Sequence, residues 1–231
     1  MKEKIKSDII HIPDFEEEKL HIDMVDTGNI AAGVLWRSGS PVKIGNTVSR
    51  RILGGLIAMV GIDCIINLDD DNSALEYVSK KTPWYHKMVI QKKVIGLAMG
   101  LNIPGVKSNE QKLKTALRFM IDNEWPYLIR CYYGVDRTGF VIALLQALMG
   151  ASLKEICKEY LSAIPFDNND SSKMEYYRRT KAIMNQIKKM AHGEIITKIN
   201  IQNAAEQYLL HDIGLSQDEI TKLKNLLAGK S

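Results

Sequence analysis

The residues best suited to chemistry lie in one short stretch, LIRCYYGVDRTGF, at positions 128–140 of this 231-residue chain. Cys131 is followed after five residues by Arg137, and then by Thr138 and Gly139. Apolar residues stand on both sides, so the stretch is predicted to join a buried strand to a buried helix. A cysteine in such a turn is a candidate nucleophile, and the arginine is a candidate clamp for an anion.

A loop between a strand and a helix favours a bound anion. The backbone N–H groups of residues 132–137 are expected to face a common concavity at the positive end of the helix. The same field favours the thiolate form of Cys131. Gly134 allows a tight turn, and Arg137 can offer two parallel hydrogen bonds to phosphoryl oxygens. The hydroxyl of Thr138 is expected near the sulfur, where it can stabilise the thiolate as a leaving group.

This arrangement predicts attack of sulfur on phosphorus and a phosphocysteine intermediate. Charge on the oxygens would be met by backbone donors and Arg137, so the step needs no metal ion, and no cofactor is expected. The competing interpretation is a buried cysteine that ends a strand, with Arg137 in a surface ion pair. The predicted phosphate-binding residues are Tyr132, Tyr133, Gly134, Val135, Asp136 and Arg137.

The surrounding elements alternate between strand and helix. Apolar runs predict strands at 34–38, 63–68, 85–91 and 127–131. Helices are predicted at 47–61, 73–80, 108–124 and 137–150, and four more at 152–163, 171–192, 200–211 and 216–228. Residues 137–150 are apolar on all sides, so this helix should be buried, with Gly150 as its end. The pattern predicts an α/β fold with a mostly parallel sheet of four or five strands, flanked by helices, and a helical C-terminal extension.

The stretch CYYGVDRTGFVIALLQALMGASLKEICKEYLSA resembles the bacterial cysteine-dependent tyrosine/lipid phosphatases typified by the secreted mycobacterial tyrosine phosphatase B. The loop of that family reads HCxxGKDRTG. LWRSGSP, GIDCIINLDDD and AEQYLLHDIGLSQDEITKLKNLLAG are similar to further family segments in the same order. The resemblance implies the cysteine-phosphatase fold and the tyrosine and dual-specificity phosphatase superfamily.

The sequence departs from the family at two positions of the loop. Arg130 stands where the family has histidine, and Val135 where it has lysine. In the family the histidine helps to fix the loop and to tune the thiol. Arg130 could do the tuning electrostatically, or it could point away on the other face of the strand.

Cleavage of the ester by this route needs a proton donor for the leaving oxygen. In the superfamily that donor is often an aspartate roughly thirty residues before the cysteine, but no Asp or Glu lies between Glu76 and Glu110 here. One candidate is Asp136, within the loop itself; its structural alternative is a carboxylate that accepts backbone hydrogen bonds. The other is the cluster Asp69, Asp70 and Asp71 at the end of a predicted strand, with a solvated turn as the alternative.

Three further features could border the site. Arg37 and Ser38 follow the first strand and are implied by the resemblance to approach the pocket, although a structural ion pair is an equal alternative for Arg37. The carboxylate-free segment contains Lys80, Lys81, Lys87, Lys92, Lys93, Lys107 and His86, which could attract anions or form a solvated surface. Residues 176–193 predict a basic amphipathic helix that could make peripheral contact with anionic lipid.

Composition sets wider bounds. The net charge is +4 with a pI near 8.8, well short of a nucleic-acid-binding extreme. The three cysteines form no CxxC pair, and their odd number argues against a disulfide framework and favours a reducing compartment. No secretory signal or membrane span is evident, so the expectation is a cytoplasmic protein, or one exported by a route without such a signal. We expect one phosphatase domain over 1–231, with an N-terminal arm (1–30), a catalytic core (31–165) and a helical part (166–231).

The sequence therefore predicts a metal-independent phosphatase, with phosphotyrosine in proteins as the foremost substrate and dual specificity as an extension. The DRT loop makes a phosphoinositide or an inositol phosphate the alternative. A deep cleft walled by Tyr132, Tyr133 and Phe140 would suit an aryl phosphate, whereas a wide basic one would suit inositol. A phosphate-binding module with little turnover is the alternative from another class, because the usual loop aspartate is missing.

Overall fold

A computed structural model describes residues 22–43, 47–164, 170–197 and 200–230. Its strands are β1 (Ile22–Val25), β2 (Leu35–Ser38), β3 (Cys64–Asn67), β4 (Val94–Gly96) and β5 (Tyr127–Arg130). They form one five-stranded sheet in the order β1-β2-β5-β3-β4. All neighbours are parallel except β1 and β2. The mixed α/β class and the mostly parallel sheet predicted from the sequence are confirmed.

Nine α-helices occur among the described residues: α1 (Thr47–Met59), α2 (Asn72–Val78), α3 (Pro83–Ile90), α4 (Lys107–Asp122), α5 (Asp136–Leu148), α6 (Leu153–Ser162), α7 (Asp170–Met190), α8 (Ile201–Gln207) and α9 (Gln217–Leu227). A π-helical segment, Tyr208–Ile213, continues α8. The last helices form the predicted C-terminal helical part. Within the described ranges, no helix combines the length and apolarity needed to cross a membrane.

The sheet is covered on both faces, because successive side chains of a strand point in opposite directions. On one face, Leu128 packs in a core cluster with residues of α1, α2 and α3. On the other, Tyr127 and Ile129 pack in a larger cluster with residues of α4, α5 and the C-terminal helices. The strand that precedes Cys131 is thus buried on both sides.

Helix α5 has the all-round burial that its sequence predicts. Every residue from Thr138 to Leu148 is buried. The helix is capped at Met149, and Gly150 follows with a φ of +82°, the left-handed conformation that glycine adopts after a helix. The start of α5 therefore has a rigid support.

The prediction of a strand at 85–91 is wrong. Residues Pro83–Ile90 form helix α3, and Tyr85 is buried in it. Proline at the first position of a helix favours that start, because its fixed φ is helical and its missing N–H is not needed there. The strand is instead Val94–Gly96, which is too short to show a clear pattern.

Part of the predicted N-terminal arm belongs to the sheet. Ile22–Val25 pairs antiparallel with β2, and Ile22 and Val25 are buried. The rest of the arm before Ile22 lies outside the described residues.

Candidate active site

Cys131 is the first residue after the central strand of the sheet. Arg130 is in register with Ser38 of β2 and with Asn67 of β3, so the carboxyl ends of three parallel strands meet at one level. Residues that follow these strands consequently surround the loop. This is the edge at which ligands bind in open α/β sheets.

The loop after Cys131 turns its carbonyl groups outwards. The Tyr132 carbonyl accepts from the Ser40 amide at 2.8 Å. Arg37 Nη2 donates to the Gly134 carbonyl at 2.6 Å and to that of Val135 at 3.5 Å. The N–H groups of Tyr132, Gly134 and Val135 donate to no acceptor among the described residues. The carbonyl of one residue and the N–H of the next lie on opposite sides of a peptide unit. The Val135 N–H therefore points away from Arg37, which holds the Gly134 carbonyl, and can contribute to an anion-binding concavity.

Gly134 is required where the loop crosses the end of β2. Its φ is +73°, and an added Cβ would lie 2.5 Å from the Ser38 carbonyl oxygen. Any side chain would therefore push the loop away from Ser38.

Arg37 supports the loop from beneath. It is fully buried, and its Nη1 donates to Glu159 Oε1 at 2.6 Å. Burial lowers the pKa of Arg37, but the attraction of Glu159 more than offsets it, so the pKa is raised overall and the charge is kept. The sequence left open whether Arg37 approaches the pocket or forms a structural ion pair. The structure shows the ion pair with Glu159, together with hydrogen bonds from Arg37 to the loop carbonyls. Ser38 donates to the Gly39 carbonyl at 2.9 Å.

Arg137 is fixed at one end and free at the other. Nη1 donates to the carbonyls of Leu68 and Met99, both at 3.2 Å, and Nη2 donates to Asp69 Oδ1 at 2.8 Å. Nε is buried and has no hydrogen-bond partner among the described residues. A guanidinium has five N–H donors, so Nε–H and one Nη2–H remain. Nε and Nη2 lie on one edge of the group, at the spacing that suits two oxygens of a phosphate.

The thiol and hydroxyl predicted to cooperate are both buried. Cys131 is 3% exposed and Thr138 is fully enclosed. Thr138 Oγ1 has no hydrogen-bond partner in the described part of the chain, so the expected bond to the sulfur is not formed in this state. Burial raises the pKa of Cys64 to about 12 and also raises that of Cys157, in keeping with unreactive thiols in apolar surroundings.

The three consecutive aspartates have separate structural roles. Asp69 pairs with Lys43 at 2.7 Å as well as with Arg137. Burial acts to raise its pKa, but Lys43 and Arg137 outweigh burial and hold the pKa of Asp69 below its usual range. Asp70, 5% exposed, pairs with Lys43 at 2.6 Å and with Arg130 at 3.3 Å. Asp71 caps α2 by accepting from the Ala74 amide at 2.8 Å. Asp69 and Asp70 are thus partners in buried ion pairs rather than parts of a solvated turn.

Asp136 lies at the rim of the loop with its side chain 42% exposed. Its Oδ1 accepts from Tyr160 at 3.2 Å and is also paired with Arg179 of α7. Burial and the negative charge of Asp136 raise the pKa of Tyr160 to about 12, so Tyr160 remains a donor. The bonds of Asp136 run to side chains rather than to the backbone, and Oδ2 takes no hydrogen bond from a described residue.

The aromatic wall differs from the sequence prediction. Phe140 is 1% exposed inside the core and cannot line a cleft, because α5 is buried on all sides. Tyr133 is 64% exposed, and the ring of Tyr132 stands edge-on to it at a centroid distance of 4.6 Å.

Arg130 points away from Cys131, on the face of the sheet that α3 covers. It is fully buried, and Nη1 donates to Ser40 Oγ at 3.0 Å. Nη2 donates to the hydroxyl of Tyr85 at 2.9 Å, and the guanidinium lies 5.4 Å from the centroid of that ring. Of the two orientations that the sequence left open for Arg130, the structure shows the one in which the side chain points away from Cys131.

Sequence reasoning missed Lys43, Glu159, Tyr160 and Arg179, all of which contact the loop or its partners. Only Lys43 could have been identified from the sequence, because it follows the carboxyl end of a predicted strand, where ligand sites gather. The other three lie on α6 and α7, whose docking cannot be read from local pattern. In the basic segment, Lys80, Lys81, Lys87 and Lys92 are exposed, while Lys93 pairs with Asp63 at 2.6 Å. Asp63 precedes β3, so this pair lies at the edge of the sheet opposite to Cys131.

A mostly parallel α/β sheet, with a cysteine-to-arginine loop after its central strand, defines a cysteine-dependent phosphatase. The family comparison agrees: residues 21–229 match the model of the tyrosine phosphatase family, and the chain belongs to that family. It is therefore a hydrolase of phosphate esters.

A search of curated proteins gives no significant match. Among solved structures, the chain is similar to the core catalytic domain of the PP-IP phosphatase SIW14 from S. cerevisiae, in complex with citrate. That match has 20% identity and a TM-score of 0.43, and covers 74% of this chain and 97% of the other.

Proposed function

We propose that the protein hydrolyses phosphate monoesters through a phosphocysteine on Cys131, with protein phosphotyrosine as its foremost substrate. The observation that carries the proposal is the loop itself. Its carbonyls at Tyr132, Gly134 and Val135 are held outwards, and Arg137 is fixed with a free edge. Peptide N–H groups of the loop, such as that of Val135, and two guanidinium N–H groups of Arg137 can then converge on one anion.

In the first step the sulfur of Cys131 attacks phosphorus, an S–P bond forms and the P–O ester bond breaks. The leaving oxygen takes a proton from Asp136, whose side chain is 42% exposed and whose Oδ2 takes no hydrogen bond from a described residue. In the second step water attacks phosphorus, its proton returns to Asp136 and the S–P bond breaks. Thr138 Oγ1, which lacks a competing partner in the described chain, can then donate to the departing thiolate.

The substrate preference rests on the aromatic pair at the loop. Tyr133 is exposed and Tyr132 is half-buried beside the phosphate concavity, where aromatic side chains can pack against the ring of a phosphotyrosine. The resemblance of the loop to the mycobacterial tyrosine/lipid phosphatases supports the same assignment, with dual specificity as its extension.

A phosphoinositide or inositol phosphate is the second candidate. Lys43, 30% exposed, and Arg179, 26% exposed, lie on two sides of the loop through their bonds to Asp69 and Asp136. Cations at the rim can bind phosphate groups other than the one that is cleaved. Contact of the basic helix α7 with an anionic lipid surface would accompany that substrate.

The test is turnover of p-nitrophenyl phosphate in the presence of EDTA by wild type and Cys131→Ser. We expect vanadate-sensitive hydrolysis and a burst of product in the wild type, both abolished in the variant. Intact hydrolysis in Cys131→Ser would refute the assignment of Cys131 as the nucleophile. If the wild type binds phosphate without hydrolysing the ester, the protein is a phosphate-binding module. A phosphotyrosyl peptide and a phosphoinositide compared by kcat/KM then decide between the two substrates.

A further inference from the structure

Five charged side chains of alternating sign run from the residue before the nucleophile to the arginine of the phosphate loop. They are Arg130, Asp70, Lys43, Asp69 and Arg137. The contacts in that order are 3.3, 2.6, 2.7 and 2.8 Å. Each of the four carboxylate oxygens contacts a cation, and Lys43 is shared between the two aspartates. We call this series the charge chain.

The charge chain is largely withdrawn from water. Arg130 is fully buried, and the side chains of Asp70 and Asp69 are 5% and 9% exposed. Lys43 is the most accessible member of the charge chain, with 30% of its side chain exposed, compared with 15% for Arg137. Its pKa is raised because Asp69 and Asp70 outweigh the opposing effect of burial. Buried ion pairs interact strongly, since little solvent screens them.

Arg130 is also anchored at its far end. Ser40 and Tyr85 hold its two terminal nitrogens, so it cannot turn to follow Asp70. Ser40 in addition donates its amide to the Tyr132 carbonyl of the loop. Arg130 therefore presents a fixed positive charge to Asp70 from the face of the sheet opposite to Cys131.

We infer that Arg130 is a positioning residue, which sets the phosphate affinity of Arg137 through Asp70, Lys43 and Asp69; this inference rests on the proposed function of the loop. Arg130 neutralises Asp70 and leaves Lys43 shared between two carboxylates. Without Arg130, Asp70 draws Lys43 towards itself. Asp69 then carries a larger uncompensated charge and holds Arg137 more tightly. The free edge of Arg137 becomes a weaker partner for phosphate.

The experiment compares Arg130→Met, which removes the charge at similar length, with Arg130→Lys, which keeps the charge without the fork. The readouts are kcat and KM for p-nitrophenyl phosphate, the inhibition constant of inorganic phosphate, and the melting temperature. We expect Arg130→Met to raise KM and the inhibition constant about tenfold with a smaller loss of kcat, and Arg130→Lys to recover most of the affinity. Arg118→Met is the matched control, because Arg118 forms an ion pair with Glu219 on the surface of the described chain.

A purely structural role for Arg130 predicts a different result. Arg130→Met would then lower the melting temperature and the active fraction, and leave the phosphate inhibition constant within twofold of wild type; that result overturns the inference. Coupling gives a second criterion: in Asp69→Asn, adding Arg130→Met should weaken phosphate binding little further, because the effect passes through Asp69. Full additivity of the two losses overturns the inference as well.

Calorimetric titration with inorganic phosphate separates this inference from the proposed function. Phosphate binding reports on Arg137 whether or not Cys131 turns over. If wild type binds phosphate without hydrolysis, the proposed function fails, and the binding constants of the Arg130 variants still decide the inference. If Arg130→Met does not fold, Asp70→Asn interrupts the charge chain at its next member, and unchanged phosphate affinity in that variant refutes the role of Arg130.

Discussion

One carboxylate belongs to the phosphate loop (Asp136) and another binds the arginine of that loop (Asp69), and their partners suit them to different tasks. Both oxygens of Asp69 are bound by cations, and the side chain is 9% exposed. Asp136 has one oxygen engaged by Arg179 and Tyr160, and its side chain is 42% exposed. A group that exchanges protons with substrate and water needs access and an unoccupied oxygen. This comparison favours Asp136 as the acid and Asp69 as the support of Arg137.

The assignment predicts different kinetic effects for Asp136→Asn and Asp69→Asn. Loss of a general acid matters most when the leaving oxygen is basic. We expect Asp136→Asn to lower kcat about a hundredfold for phenyl phosphate and much less for p-nitrophenyl phosphate. Asp69→Asn should instead raise KM for both substrates by similar factors, because loss of the contact that orients Arg137 outweighs the release of its charge. Equal losses of Asp136→Asn on the two substrates, measured by steady-state kinetics, would exclude it as the acid.

For individual residues, the sequence predicts the spacing and chemistry of the loop better than it predicts which side chains pair with one another. Cys131, Gly134 and Arg137 follow from one local stretch, because a single loop positions all of them. The role of Arg130 could not be predicted, since its partners come from the segment after β2, from the end of β3 and from α3. The separate roles of three consecutive aspartates depend on the same long-range contacts.

At the scale of elements, α6 is fitted to the first turn of α5 through one glycine. An added Cβ on Gly139 would lie 2.5 Å from two ring carbons of Tyr160. The ring thus packs directly on the backbone of α5, and its hydroxyl reaches Asp136 at 3.2 Å. Gly139 belongs to the loop motif, and its packing role extends the motif to α6.

We therefore expect Gly139→Ala to be destabilising, although alanine normally favours a helix. Displacement of the Tyr160 ring should cost about 2 kcal/mol, as overpacking of a buried site commonly does. Gly55→Ala in α1 is the matched control, because nothing lies within 4 Å of its added Cβ. That variant should gain about 1 kcal/mol from helix propensity. The measurement is urea unfolding of both variants, and equal shifts of the same sign would contradict the packing argument.

The elements also show where local pattern fails. Helix α5 was predicted because its apolar residues occupy all sides over 13 positions. The segment 85–91 has an apolar, β-branched character, yet it is helix α3, and tertiary packing of Tyr85 against Arg130 overrides the propensity. Strands of three or four residues, such as β4 and β1, carry too few positions for a period to be recognised.

For the molecule as a whole, the site joins the two layers that cover the sheet. Three members of the site follow strands at the carboxyl edge of the sheet: Lys43, Asp69 and Asp70. Arg130 faces the layer that contains α3, and Arg137 lies in the first turn of α5 in the other layer. The charge chain thus passes from one core cluster to the other at the carboxyl edge of the sheet. Its ionisation state should therefore influence global stability as well as phosphate binding.

The lowered pKa of Asp69 fixes the sign of that influence. A carboxyl group whose pKa is depressed on folding contributes stability above its unfolded pKa of about 3.9. The contribution is lost as the pH falls through the folded pKa. The stability difference between wild type and Asp69→Asn should accordingly be largest above about pH 5 and should shrink towards about pH 2. At pH 7 we expect a difference of about 3 kcal/mol, the lower end for a broken buried ion pair.

Urea unfolding of both proteins between about pH 2 and pH 7 provides the measurement, with Asp122→Asn as the control. Asp122 ends α4 as an exposed residue, and its substitution should change the free energy of unfolding by less than about 0.5 kcal/mol. A difference between wild type and Asp69→Asn that stays constant from about pH 7 to about pH 2 would contradict the ionised state of Asp69. A difference that decreases with acidification would establish that the carboxylate holding Arg137 also stabilises the fold.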